Sequence, residues 1–572
     1  MKLIEALSLL QKVTPTDPIF PVALLCGFTP QPLVTFLAAH LQTRLPGRRI
    51  ELREGRFGDL IGNLERYLRE PCGAAALPLE WADLDSRLGW RQHGGWGRAQ
   101  VKDICASVDR QFGAVQGLLE SASGAGTVAV SLPTIPAAPV EPVPGWQYGQ
   151  LESRLAALAA SFAADLSSLP HIRLVNPARL AALSSPHQRL DVKTLNQAGF
   201  PYTLTHSDAL ATLLAQLIQP PQPLKGIITD LDNTLWSGIL GEIGVDGVAW
   251  DLDHHAAQYG AYQQMLQSLA DSGVLVAIAS KNDPKLVQSA LQRPDLLLRA
   301  DSVFPVEAHW SPKSESIARI LQAWNIAADS VVFIDDSALE LAEVSNAHPA
   351  LECWPFEAEP NQVAALLSKL VDRFGKPFDS EEDSLRLKSL RAGAELHNGT
   401  AGVESLEQVL ATAEGVLTIV PLKNPPDPRA LELVNKTNQF NLNGRRFNEA
   451  EWLQYLSCPG HSVWMASYTD RFGPLGKIAV LAARSTSDGE LEVDSWVLSC
   501  RAFGRRIEYA MLGALFERLA VRRIRLRFAA TERNGPIQEL LNGLTGTSPV
   551  EGSFVDAAGF TQRKLPWYLH IE

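Results

Sequence analysis

"KGIITDLDNTLWSG", residues Lys225–Gly238, is the stretch on which the reading of this chain turns. The apolar run Gly226–Ile228 passes through Thr229 into two aspartates one residue apart, Asp230 and Asp232. Short, continuously apolar runs suit strands buried on both faces of a parallel sheet. The carboxyl ends of such strands are where open α/β sheets collect ligands. Paired acids at that position, taken alone, read as a turn with solvated carboxylates; they point to chemistry only together with further polar groups at neighbouring strand ends.

Two further apolar runs follow, "GVLVAIAS" (Gly273–Ser280) and "SVVFIDD" (Ser330–Asp336), and each ends in polar groups: Ser280, then Asp335 and Asp336. Between them lie the helical patterns "PKLVQSALQ" and "SESIARILQAW". This alternation predicts a doubly wound parallel sheet over residues 224–374. Lys313 falls in "HWSPKSES", where a loop enters a helix. Carboxylates gathered with one lysine make a hard-cation site facing an anionic group. Mg2+ takes oxygen ligands, usually one or two carboxylates with water and substrate phosphate. One carboxylate can then attack phosphorus while a second manages the proton. Between Asp232 and Ser280 lie 47 residues, and between Ser280 and Lys313 lie 32, too few for a separate lid domain. An open site of this kind is expected to be closed by a macromolecular partner or a neighbouring domain, because phosphoryl chemistry benefits from water exclusion.

The chain has 572 residues, so several domains are expected. A formal charge of -12 argues against general nucleic-acid binding, which needs a basic surface. The six cysteines form no CxxC pair, which predicts reduced thiols, no structural zinc and a cytoplasmic location. His171, His206, His309 and His397 show no metal-ligand spacing. No apolar run approaches membrane-spanning length, and "MKLIEALSLLQKV" reads as an amphipathic helix rather than a signal peptide.

On either side of the central block the pattern changes. Residues 1–220 carry "FPVALLCGFTPQPLVTFLAAHL" and "GTVAVSLPTI", which predict a further α/β domain ended by the helix-breaking "QPPQPL". A charged helical connector is expected over 375–404. Over 405–572, the strand-like "GKIAVLAARS", "LEVDSWVLS" and "RIRLRFAA" surround the helical "RIEYAMLGALFERLA", an α+β pattern. "RAFGRR", Arg501–Arg506, follows a strand and opens a helix, where backbone N–H groups can bind phosphate. Cys500 stands directly before it, in a setting that can lower a thiol pKa. It is equally at home as a small buried residue. "NKTNQFNLNGRR", Asn435–Arg446, is dense in amides that would bond either a ligand or the chain's own loop.

"DLDNT", a strand-terminal Ser280, Lys313 and "IDD" in this order resemble the haloacid dehalogenase (HAD) superfamily of phosphatases and phosphotransferases. The resemblance implies Asp230 as nucleophile and Asp232 as general acid/base, also offering its backbone carbonyl to Mg2+. It implies Ser280 and Lys313 as holders of the phosphoryl group, with Asp335 or Asp336 completing the metal site. "DLDNTLWSGILGEIG", "HWSPKSESI", "FIDDSALELAEV", "NKTNQFNLNGRRF" and "WVLSCRAFGRRIEYAML" together resemble the FkbH-like proteins of polyketide pathways. That resemblance implies a capless HAD-like domain, an SGNH-like domain before it and a GNAT-like domain after it. It implies loading of a glyceryl unit from 1,3-bisphosphoglycerate, or a related acyl phosphate, onto the phosphopantetheine arm of an acyl carrier protein. Related members act only as phosphatases, here on a carrier- or protein-bound phosphoester. The Arg501–Arg506 stretch resembles the pyrophosphate loop of Gcn5-related N-acetyltransferases, which implies that Arg501, Gly504 and Arg505 hold a pantetheine phosphate. Cys500, by its position before that loop, would relay the acyl group, and by family analogy Asp470 would face this second site. The chain departs from these patterns at Gly226, where relatives often have a cysteine, and at Arg506, where acetyltransferases have a small residue. "CGFTPQ" stands where an SGNH hydrolase would have its serine, so the first domain reads as a non-catalytic docking or scaffold element.

Overall fold

A computed structural model of the chain describes residues 1–376 except 15, 123, 125, 222 and 223, and residues 410–572 except 412, 423–426, 472, 487–489, 532, 563–565 and 567; between these blocks it describes 387, 390 and 391. The connector expected over 375–404 therefore lies almost wholly outside the described residues. The chain divides into two compact units, Met1–Pro221 with Phe447–Tyr455, and Gln222–Arg446 with Leu456–Glu572. Among the described residues no helix is long and apolar enough to cross a membrane.

The first unit holds a parallel sheet of β1 (Ile19–Leu24), β2 (Arg49–Glu54), β3 (Ala74–Pro78), β4 (Thr127–Ser131) and β5 (Ile172–Leu174), in the order β2-β1-β3-β4-β5. Its two faces are buried by separate clusters, one with Leu77, Val128 and Val130, the other with Val22, Leu24 and Ala76. Phe447, Trp452 and Tyr455 are buried in this unit although they come from far along the chain. Arg48 reaches Glu451 there at 3.4 Å.

The second unit contains two sheets. The first is β6 (Gly226–Thr229), β7 (Leu275–Ser280), β8 (Val303–Ala308), β9 (Val331–Asp335) and β10 (Glu352–Pro355), all parallel in the order β10-β9-β6-β7-β8. Alternate residues serve opposite faces. Ile227, Val276, Ile278, Val332 and Ile334 pack into one cluster, and Ile228, Leu275, Ala277, Val331 and Phe333 into the other. Burial on both faces is why these strands are apolar throughout rather than alternating. From Asp232 to Ser280 the chain forms two helices, Leu240–Ile243 and Ala257–Asp271, and no strand before β7.

The other sheet is mixed: β11 (Gly415–Pro421), β12 (His461–Asp470), β13 (Gly473–Ser485), β14 (Leu491–Leu498), β15 (Arg523–Leu526), β16 (Phe554–Asp556) and β17 (Leu569–Ile571), in the order β16-β15-β14-β13-β12-β11-β17. β14 and β15 are parallel and joined through the helix Ile507–Leu519. They pair only from Leu491 to Val493 of β14. Past that point the chain's own Phe440–Leu442 lies along β14, with Leu442 N–H on the Trp496 carbonyl at 3.0 Å and Leu498 N–H on the Phe440 carbonyl at 3.1 Å.

Candidate active site

β6 delivers Asp230 to the carboxyl edge of its sheet, and the Asp230 N–H extends the ladder to the Ile334 carbonyl at 3.0 Å. The chain must then turn away sharply. Asn233 takes a φ of 54°, in the left-handed region that asparagine tolerates, and its Oδ1 accepts from the Gly238 N–H at 3.1 Å. Thr234 Oγ1 accepts from the Asp336 N–H at 3.1 Å, tying this turn to the end of β9. The "DNT" of the sequence is thus one carboxylate and the two residues that hold its loop.

Lys313, the first residue of the helix Lys313–Trp324, is 4% exposed. Its Nζ lies 2.9 Å from Asp230 Oδ1 and 2.6 Å from Asp335 Oδ2. Asp335 ends β9 fully buried, its Oδ1 accepting from the Ser337 N–H at 2.8 Å. Asp230, Asp335 and the exposed Asp336 each offer an oxygen within 4.8 Å of the others'. Burial pushes the Asp230 carboxyl up to about 7; Lys313 opposes this and Asp335 adds to it. Burial also raises Asp336, with Asp335 adding to the shift. For Lys313 burial acts downward, but Asp230 and Asp335 outweigh it and hold the ammonium charged. Three carboxylates share one ammonium, which leaves an excess of negative charge on hard oxygen donors. With one ligand open to solvent, the set fits a cation such as Mg2+ that keeps several waters.

Asp232 stands outside that trio. Its Oδ1 accepts from Trp236 Nε1 at 3.1 Å and from the Leu240 N–H at 3.0 Å, and its Oδ2 from Asn282 Nδ2 at 2.9 Å. Asn282 Nδ2 also donates to Ser280 Oγ at 3.1 Å, so the ends of β6 and β7 share one amide. Asn282 was not singled out from the sequence; its signal is the polar run "SKN" that closes β7. Beside it, Lys281 Nζ reaches Glu340 Oε1, in the helix Ala338–Ala347, at 2.7 Å.

Asp230, Asp232, Ser280, Lys313, Asp335 and Asp336 are therefore gathered at one sheet edge, and the remaining candidates are elsewhere. Cys500 is half-buried at the start of the short turn Cys500–Ala502, packed beside Trp324, Val331 and Leu275. It lines a cavity of about 100 Å³ with Lys225, Trp324 and Asn325, and its carbonyl accepts from Asn325 Nδ2 at 3.2 Å. Lys225 precedes β6, so this is the end of the sheet opposite Asp230. Arg505 is buried rather than presented to a ligand: its Nε lies 3.6 Å from Asp470 Oδ2, and its guanidinium sits over the Tyr468 ring at 5.4 Å. Asp470, expected at the same site, is that internal partner. Gly504 is exposed with φ 79°, and the side chain of Arg501 lies outside what is described. Arg506 takes φ 58°, a conformation that favours glycine, which gives a physical reason for the small residue usual there. The amide-rich loop is turned inward. Asn441 Oδ1 accepts from the Gly444 N–H at 2.8 Å, and Asn443 Nδ2 bonds the Asp494 and Arg527 carbonyls at 2.9 and 2.8 Å.

Neither the protein-family models nor the curated proteins yield a match to this chain. Among solved structures, the N-terminal part of protein BF1531 from Bacteroides fragilis, containing a phosphatase domain complexed with Mg, is 19% identical; the match covers 66% of this chain and 100% of that one, with a TM-score of 0.51. An uncharacterized protein from Corynebacterium glutamicum matches at 20% identity over 27% of this chain and 98% of its own, with a TM-score of 0.20. The cobalt-bound deoxy-D-mannose-octulosonate 8-phosphate phosphatase of Haemophilus influenzae matches at 16% identity over 28% and 94%, also with a TM-score of 0.20. The first match is a likeness of fold. Its 66% share exceeds the 225–374 block, so it reaches beyond the carboxylate-bearing sheet.

Proposed function

We propose that this chain is a Mg2+-dependent phosphoryl-transfer enzyme of the HAD type. The observation that carries this reading is the buried Asp230–Lys313–Asp335 arrangement with Asp336 at its open side. Asp230, Asp335 and Asp336 would hold the ion, whose charge would offset that of the phosphoryl oxygens. An Asp230 oxygen attacks phosphorus, the bond to the leaving oxygen breaks, and Asp232 gives that oxygen a proton. Asp232 then takes a proton from water as the water oxygen attacks the aspartyl-phosphate, which releases phosphate and restores Asp230. Three hydrogen-bond donors fix Asp232 for this exchange. Lys313 and Ser280 hold the transferred group.

The finer proposal is that the substrate is an acyl phosphate of the 1,3-bisphosphoglycerate kind and that a glyceryl unit passes to an acyl carrier protein. The resemblance of the five motif segments supports it. A second reading, a phosphatase acting on a carrier- or protein-bound phosphoester without acyl transfer, is favoured by specific observations. Arg505 is paired internally, Cys500 lies at the far end of the sheet, and Phe440–Leu442 covers the unpaired half of β14. The first unit is proposed as a docking or scaffold element: Cys26, where a hydrolase would have its serine, is buried and its thiol pushed up to about 12 by burial, leaving it un-ionised. The deciding experiment incubates the full chain with carrier protein, Mg2+ and 1,3-bisphosphoglycerate, then weighs the carrier by intact-protein mass spectrometry. A glyceryl-sized gain supports loading. Phosphate release without gain supports the second reading. No phosphate release from any phosphoester or acyl phosphate overturns both. The same assay on Cys500→Ala is expected to keep phosphate release.

A further inference from the structure

In the candidate site Asp230, Asp232, Asp335 and Asp336 gather around the ammonium of Lys313. With a divalent ion, and with Asp232 carrying the proton it is to donate, that set is neutral, and a dianionic phosphoryl group then makes it negative. A substrate with a second anionic group would be repelled unless another cation met it. Lys281 is the next residue after Ser280, and its side chain is 37% exposed. Its ammonium is engaged by Glu340 Oε1 at 2.7 Å. These two residues follow β7 and β9, the strands on either side of β6, so the pair spans the end of the strand that carries Asp230.

The contact is a one-point fastening. Glu340 Oε2 is buried and has no hydrogen-bond partner among the described residues. The lysine end of the pair is open to solvent, which screens the attraction, while the Glu340 side chain is only 16% exposed. A carboxylate or phosphate arriving on a substrate would offer Lys281 a stronger charge-assisted bond. We propose that Lys281 is a specificity residue that leaves Glu340 to bind a second anionic group, carboxylate or phosphoryl, on the far end of a short phosphorylated substrate. This rests on the phosphoryl-transfer reading above and assigns to one side chain the recognition of a second anionic end, such as 1,3-bisphosphoglycerate carries. Glu340 competes with the substrate for the same ammonium.

The test uses the full chain with Mg2+ and non-hydrolysable probes, measured by titration calorimetry. Ethylphosphonate carries one anionic end, while 3-phosphonopropionate adds a carboxylate and 1,3-propanediphosphonate a second phosphoryl group. The parent is expected to bind one or both two-ended probes at least about tenfold more tightly than ethylphosphonate, the size of one charged hydrogen bond. Whichever of the two binds more tightly identifies the second anion. Lys281→Ala should remove that preference, Lys281→Arg should restore part of it, and Glu340→Gln should increase it. A parent without preference, or a preference that survives Lys281→Ala, overturns the inference. Hydrolysis of p-nitrophenyl phosphate by the same preparations separates this result from the broader reading. Turnover without preference defeats only the Lys281 assignment, and preference without phosphate release from this or any other phosphoester or acyl phosphate defeats only the phosphoryl-transfer reading.

Discussion

At Asp230 one buried corner holds two carboxylates and one ammonium, and a single substitution should separate chemistry from folding. Asp230→Asn removes the nucleophile and a cation ligand while keeping the shape of the side chain. Phosphate release from p-nitrophenyl phosphate is expected to fall by about a thousandfold or more. The melting temperature should stay level or rise, because an uncompensated buried charge is lost. EDTA should produce the same loss of activity in the parent, reversed by Mg2+. Retained turnover in Asp230→Asn would remove the basis of the mechanism. At the other end of β6, Gly226 has no room for a side chain: a Cβ there would lie 2.5 Å from Trp324 Cζ3. Gly226→Cys is expected to cost about 1–3 kcal/mol in urea unfolding, since Trp324 is fully buried and must shift.

Elements are held by polar chains as well as by apolar faces. In the first unit Glu80 Oε1 accepts from Thr134 Oγ1 at 2.5 Å, Thr134 Oγ1 meets His206 Nε2 at 2.9 Å, and Ser184 Oγ meets His206 Nδ1 at 3.0 Å. The set resembles hydrolase machinery in kind, yet every member is buried, so it fastens the ends of β3 and β4 to the helix Leu204–Ile218. Burial lowers the His206 pKa to about 3, chiefly through desolvation, with Arg189 adding to it. The unfolded chain then binds a proton below about 6.5 that the folded chain refuses, so this contribution is present above that pH and is lost as pH falls toward 3. His206→Gln should flatten the decline in melting temperature between pH 6.5 and 3 relative to the parent; an unchanged slope would show that the imidazole titrates normally. Burial raises Glu80 to about 7, which acts in the opposite sense above pH 4.5, and this part is common to both proteins.

Such chains explain what the sequence made legible and what it did not. β6, β7 and β9 were readable because burial on both faces writes a continuous apolar run, and their polar ends follow directly. β15 was readable in part: "RIRLRFAA" suggested eight residues, and pairing stops at Leu526, where β14 turns to Phe440–Leu442 instead. The partners Glu340 for Lys281 and Asp470 for Arg505 leave no local pattern, since each pair joins positions far apart in sequence.

For the whole molecule, the boundary near Pro221 hides a dependence. Residues Phe447–Tyr455 belong to the first unit, where Phe447 and Trp452 rings meet at 5.2 Å and Trp452 is 2% exposed. A fragment of residues 1–221 should therefore bind a hydrophobic dye and unfold at lower urea than the first unit within the full chain, by about 2–4 kcal/mol for the lost aromatic burial. A peptide of residues 446–457 should restore part of the difference; equal stability of fragment and parent would show that the nine-residue segment is only laid on. During synthesis the same arrangement becomes a matter of time. The first 221 residues leave the ribosome long before their missing piece, which is encoded more than two hundred residues later. At ordinary elongation rates that is a wait of roughly 10–45 s, during which a nascent domain exposes the apolar surface it will later close.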